Sequence, residues 1–256
     1  KTHIKEPART AMIVDHVAPA SNVATADSQM ATRRFVAEEG IENFYDVGRG
    51  VCHQVMIEEK LVQPGQVAIG SDSHTTSYGA IGCFGTGMGA SDIALAWASG
   101  KTWLRVPETI RILGSGRFQP GVTAKDLSFH ISGTLGAEGG RYASIEFIGM
   151  DDMPITDRQT LCGMTTEIGA KVGLFPPTGE VAREFAVPEW FTVDADAPCS
   201  QVLEVNLAQL VPVVAIPPAV DDIAPVTDLT HVKVDSVFIG TCTNGRLRDL
   251  QAAAHI

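Results

Sequence analysis

Four short clusters of polar and titratable residues stand out in the sequence: Asp15-His16, His53-Gln54, Asp72-Ser73-His74 and Cys242-Thr243-Asn244-Gly245-Arg246. An imidazole within reach of a carboxylate is an oriented acid/base group, because the carboxylate selects the tautomer and raises the imidazole pKa. Groups of that kind suit moving a proton and a hydroxyl. No GxSxG elbow occurs and no serine has an identifiable His-Asp relay, which disfavours serine-triad hydrolysis. Taken singly, each cluster has a plainer reading: Asp15-His16 and His53 as helix-start residues, Asp72-Ser73-His74 as a Ser/Asp turn, and Cys242 as packing. The set carries more weight than its members, since every cluster begins at or near the end of an expected strand.

Those strands are read from short β-branched runs: AMIV (11–14), NFYDV (43–47), VAIGS (67–71) and, far downstream, VDSVFIG (234–240) as a buried strand. Helical patterns lie between them over 28–40, over HQVMIEEK and over 90–99 running toward Trp103. Alternation of this kind signals βαβ units and a parallel sheet, where ligands bind outside the carboxyl ends of the strands. The fold class expected is therefore α/β, with doubly wound, mostly parallel sheets and flanking helices. After Pro107 come a strand at TIRILG, a helix opened by a capping-box-like Thr123 and Asp126, a strand at SIEFIG and one long helix over 157–173. Residues 176–227 read as an irregular connector with brief strand signals at VLEVNL and PVVAI. Three lobes are expected: 1–107 with the His/Asp site, 108–228 with the connector, and 229–256 as the start of a third.

Between Asp72 and the helix at 90–99 lies GAIGCFGTGMGA, whose Gly85, Gly87 and Ala90 form a GxGxxA pattern. A dinucleotide site would need a tight turn before it and an acidic residue closing the next strand. Here the spacer is long and TIRILGSG ends in Gly-Ser-Gly, so the glycines are read as permitting close backbone packing.

Composition narrows the class further. Of 256 residues 45% are hydrophobic and 19% charged, which excludes a disordered chain, and the formal charge of −11 with no basic stripe argues against a nucleic-acid partner. No apolar run is long enough to span a bilayer and the first residues lack a signal-peptide core, so no membrane partner and a cytoplasmic location are expected. Five cysteines, none in a CxxC, read as thiols of a reducing compartment. Opening on Lys1 and closing on AAAHI in a helical pattern, the chain reads as a piece of something longer.

At TCTNGRLRDL the sequence resembles the cluster-binding signature of the aconitase superfamily. DH at 15–16, GVCHQ around His53, GSDSHTTSYGA around Asp72, GTGMGASD, SIEFIG and MTTEIGAK around Glu167 follow in that family's order. The likeness spans nearly the whole chain and is greatest to the large subunits of 3-isopropylmalate dehydratase and homoaconitase. The resemblance implies an iron-sulfur hydro-lyase acting on a 2- or 3-hydroxy di- or tricarboxylate by dehydration and rehydration. It implies a [4Fe-4S] cluster with Cys242 as one of three ligands, the other two lying beyond Ile256.

By the same resemblance Asp15, His16, His53, Asp72, His74 and Glu167 are catalytic, with His53 pairing with Asp72 and His74 with Glu167. Ser73 and Asn244 line the site and Arg246 meets a substrate carboxylate. The family carries an asparagine where Gly163 stands here. It draws its serine base and further arginines from later domains or a small subunit, so this chain alone is expected to be inactive. Two alternatives stay open: a mononuclear zinc hydrolase built on His16, His53, His74 and Asp72, and a cluster-free RNA-binding relative.

Overall fold

A computed structural model describes residues 3–194 and 196–256, and the chain divides into two compact units. The first comprises residues 1–62 and 88–105, the second residues 63–87 and 106–256. These units cut across the chain order of the lobes expected from sequence. Residues 63–87 belong with the second unit, although they were expected to sit in the lobe ending at 107.

In the first unit β1 (Ala11–Ile13) and β2 (Asn43–Tyr45) pair in parallel, Ala11 opposite Asn43. Helix α1 (Val23–Glu39) links them. It begins ahead of the expected Ser28 because the Asn22 side chain accepts a hydrogen bond from Thr25 N–H, a cap worth about 1 kcal/mol. Gly40, in the left-handed region at φ 68°, ends it. A small core of Ile4, Val36 and Ile41 packs with Met12, Phe35, Phe44 and Trp97. Short α2 (Cys52–Glu58) follows β2, and α3 (Ala90–Ser99) is stopped by left-handed Gly100, so it does not run on to Trp103.

The second unit is built on four parallel strands ordered β7-β6-β5-β8. These are β5 (Thr109–Ser115), β6 (Ser144–Ile148), β7 (Val172–Leu174) and β8 (Gln201–Asn206). Helices α4 (Ala124–Leu135) and α5 (Ile155–Met164) supply much of the packing, with Leu127, Leu161 and Cys162 buried alongside Ile112, Ile145 and Phe147. The capping box of α4 is present, Asp126 Oδ2 accepting from Thr123 N–H at 2.7 Å and Thr123 Oγ1 accepting from Lys125 N–H. A separate parallel pair, β3 (Val67–Gly70) and β4 (Phe84–Gly87), is joined by a 3-10 segment over Ser73–Ile81.

Several expectations give way. The helix expected over 157–173 ends at Met164, where the Thr165 hydroxyl donates to Cys162 O. A 3-10 turn, Thr165–Ile168, and left-handed Gly169 then lead into β7. The glycine-rich stretch contains strand β4, for which small residues are required: a Cβ on Gly85 would stand 2.2 Å from Thr75 O. The connector contributes β8 to the main sheet and the antiparallel pair β9 (Val213–Ala215) and β10 (Ile223–Pro225). Short α6 (Glu180–Glu184) lies there too, and α7 (Leu247–Ala254) ends the chain.

Residues 234–240 form no buried strand. They pair with no strand among the described residues, and Val237 and Phe238 are 74% and 85% exposed. An apolar β-branched run sits in a sheet only where a neighbour takes up its backbone groups. Among the described residues no helix is long and apolar enough to cross a membrane.

One contact sets how closely the 3-10 segment approaches the sheet. Gly79 O accepts from Phe175 N–H at 2.9 Å, and a Cβ at Gly79 would lie 1.5 Å from Gly173 O. Gly79→Ala should therefore cost about 4 kcal/mol or more, read as a drop in denaturant midpoint.

Candidate functional site

In the first unit Asp15 and His16 follow β1 directly. Asp15 Oδ1 lies 2.7 Å from His16 Nδ1, and Oδ2 accepts the Cys52 N–H at 2.7 Å from the first turn of α2. Burial pushes the Asp15 carboxyl up, but hydrogen bonds from Cys52 N–H, the His16 ring and the Cys52 thiol outweigh it and hold the group below the ordinary carboxylate range. The carboxylate is 9% exposed while the His16 ring is 60% exposed, so a buried anion anchors an imidazole that stands in solvent. With Nδ1 tied, Nε2 is the nitrogen placed to exchange a proton. His53, one residue into α2, is buried, and Cys52 Sγ lies 3.6 and 3.8 Å from its two ring nitrogens.

In the second unit Asp72, Ser73 and His74 follow β3. Asp72 Oδ1 accepts the His74 backbone N–H at 2.7 Å, capping the 3-10 segment. The ring's Nδ1 is 3.4 Å from Ser73 Oγ and 3.7 Å from Asp72 Oδ1, and its Nε2 is 3.4 Å from Glu167 Oε1. His74 thus stands between two carboxylates, one of them the Glu167 with which the family resemblance pairs it. The break in the helix after Met164 is what places Glu167 there.

The Cys242 loop is held through its neighbour Thr243, which is buried. Thr243 O accepts from Thr160 Oγ1 at 2.9 Å and from Arg246 Nη1 at 2.6 Å, while Thr243 Oγ1 accepts from Lys125 Nζ at 2.9 Å. Asp249 Oδ2 takes the N–H groups of Gly245 and Arg246 at the start of α7. Arg246 therefore serves as a strut for the loop; burial pushes its pKa down, against the attraction of Asp249 and Asp157. Asn244 donates to Asp249, and its Oδ1 is buried without a hydrogen-bond partner. Sequence reasoning missed Lys125, hidden inside a capping box, and Thr160, whose hydroxyl carries no motif.

A point one Cβ out from Gly163 lies 2.8 Å from Ser77 Oγ, 3.3 Å from Thr243 Cγ2 and 3.9 Å from the His74 ring. Glycine at 163 is thus what lets α5 close on both the His74 segment and the Cys242 loop. The orphaned Asn244 Oδ1 and a half-buried Cys242 thiol on a braced loop fit one corner of an iron-sulfur group. Other cysteines of this unit fit it poorly: burial pushes the Cys83 thiol up to about 12, and that of fully enclosed Cys162 well above the usual range.

Comparison with known protein families matches residues 2–256 to the aconitase family (aconitate hydratase). The chain belongs to the aconitase family. A 3-isopropylmalate dehydratase large subunit from Herpetosiphon aurantiacus is 50% identical over 97% of the chain and 59% of its own length. The homoaconitase large subunit of Thermus thermophilus is 49% identical over 98% of the chain and 60% of its own length. The chain spans about three-fifths of the length of these curated relatives. Among solved structures, the holo-form of aconitase X from Thermococcus kodakaraensis aligns over 80% of the chain and 49% of its own, with a TM-score of 0.50 at 14% identity. That likeness supports the α/β fold.

Proposed function

We propose that this aconitase-family chain is part of the large subunit of a hydro-lyase that moves a hydroxyl on a hydroxy di- or tricarboxylate, of the 3-isopropylmalate or homocitrate type. The observation that carries the reading is, within the second unit, a His74 ring set between Asp72 and Glu167 and a Cys242 loop braced at Thr243. Family membership favours it over the zinc-hydrolase and RNA-binding alternatives.

In this reading His16, its Nδ1 fixed on Asp15, gives a proton to the departing hydroxyl and takes it back on rehydration. His74, set between Asp72 and Glu167, orders the water so formed, and buried His53 is a further acid/base residue. Ser73 and Asn244 line the substrate. Cys242 would be one of three thiolate ligands of a [4Fe-4S] cluster, which when bound supplies Lewis acidity to the hydroxyl and carboxylate. Arg246 meets a substrate carboxylate, while the remaining ligands, a serine base and further arginines would come from further chain and a small subunit, with residues 229–256 opening a third lobe. The setting is cytoplasmic.

Assembly tests this. The 256-residue chain alone should show no turnover of isopropylmalate or homocitrate even after anaerobic iron-sulfur reconstitution. Extended to its relatives' length and joined with a small subunit, it should form the unsaturated acid, followed by ultraviolet absorbance. Turnover by the isolated chain would defeat the reading, and so would an inactive, cluster-loaded complex.

A further inference from the structure

Lys125 sits in the first turn of α4, half-buried, and reaches across 118 residues of sequence to the Cys242 loop. Its Nζ donates to Thr243 Oγ1 at 2.9 Å, lies 3.0 Å from Met164 Sδ and stands 5.4 Å from the centre of the Phe129 ring. Among the described residues no carboxylate lies within ion-pair reach of it. An ammonium drawn out of water costs free energy unless something compensates. Thr243, a thioether and a ring face are weak compensation, so burial pushes its pKa down, opposed by the attraction of Glu167. A merely stabilising contact would be served as well by an apolar side chain.

What this amine holds is the Cys242 loop. Residues 234–240, leading into the loop, have no ladder among the described residues, so Cys242 is not placed by a strand. The loop is braced instead at Thr243, by Thr160 on its carbonyl and Lys125 on its hydroxyl; Thr243 Oγ1 in turn lies 3.2 Å from Thr241 Oγ1, which accepts the Asn244 N–H. We propose that Lys125 is a positioning residue for Cys242: it latches the thiol's loop to α4 through Thr243. The inference rests on the proposed function only in giving Cys242 a task, since the latch is measurable without any reaction.

Hydrogen exchange on the 256-residue chain, followed by mass spectrometry, tests it. Lys125→Met should speed exchange in peptides covering 241–246 about tenfold or more, the consequence of losing one charge-assisted hydrogen bond, while peptides from β5 and β6 keep their rates. Thr243→Val, which also removes the Thr241 contact, should speed it at least as much, and adding Lys125→Met to Thr243→Val should add nothing further, because the Lys125–Thr243 bond is already gone. Lys125→Arg, which keeps a cationic donor, should restore most of the protection. Unchanged loop exchange in Lys125→Met, a rise spread equally through the sheet, additive effects in the double variant, or an arginine variant no better than methionine would each overturn the latch. If Lys125→Met does not fold, Thr243→Val alone decides, and an unaltered loop rate in it is fatal. Should the latch hold while the assembled enzyme is inactive, the function falls and the latch stands.

Discussion

His16→Ala in an assembled, cluster-loaded enzyme is expected to lower turnover by about 10²- to 10⁴-fold, the contribution of a positioned general acid. The figure rests on an asymmetry in the Asp15–His16 pair, a buried carboxylate holding an exposed ring at 2.7 Å. His130→Ala serves as the control. That histidine lies on α4, burial alone pushes its pKa down, and turnover should stay close to the unaltered value. Asp15→Asn should lose activity with His16 still present, since an amide cannot select the same tautomer. The same variant has a signature in stability. Asp15 titrates in the folded chain below its ordinary 3.8, so it contributes stability above that pH, lost as pH falls through the lower folded value. With asparagine there, the acid limb of a thermal-midpoint profile should flatten. Equal kinetic losses in His16→Ala and His130→Ala would remove His16 from the mechanism.

Local signals proved legible where the chemistry is local. The capping box of α4, the glycine that ends α1 and the parallel strands β5 and β6 are written in adjacent residues, and so are the carboxylates beside His16 and His74. Less legible was everything decided by distant partners. Gly85 reads as loop until Thr75 O is found where its side chain would be. The helix expected through 173 breaks at Met164 because the Thr165 hydroxyl turns back on Cys162, a choice that helical periodicity does not record. VDSVFIG shows the reverse failure: its pattern is that of a buried strand, yet a strand exists only with a partner. Lys125 belongs to the same class, since nothing near it in sequence announces Thr243.

Counting thiolates yields the second large effect. The 256-residue chain should take up no stable four-iron cluster, because such a cluster needs three close thiolates and Cys242 is the one cysteine whose setting suits a ligand. Cys83 and Cys162 are buried, and burial opposes the thiolate that a metal requires. Cys52 is engaged with Asp15 and the His53 ring, and Cys199 stands in the segment before β8 with no motif around it. Metal binding would order a loop by adding bonds at its centre. Without metal, Thr241–Arg246 should exchange faster than β5 even with Thr243 braced, while the Asp15–His16 and His74–Glu167 pairs persist. Anaerobic reconstitution with iron and sulfide analysis reads the outcome. Near-stoichiometric loading with four irons, abolished by Cys242→Ser combined with Cys83→Ser or Cys162→Ser, would mean that a buried thiol is released to bind metal. The burial argument for ligand choice would then be lost.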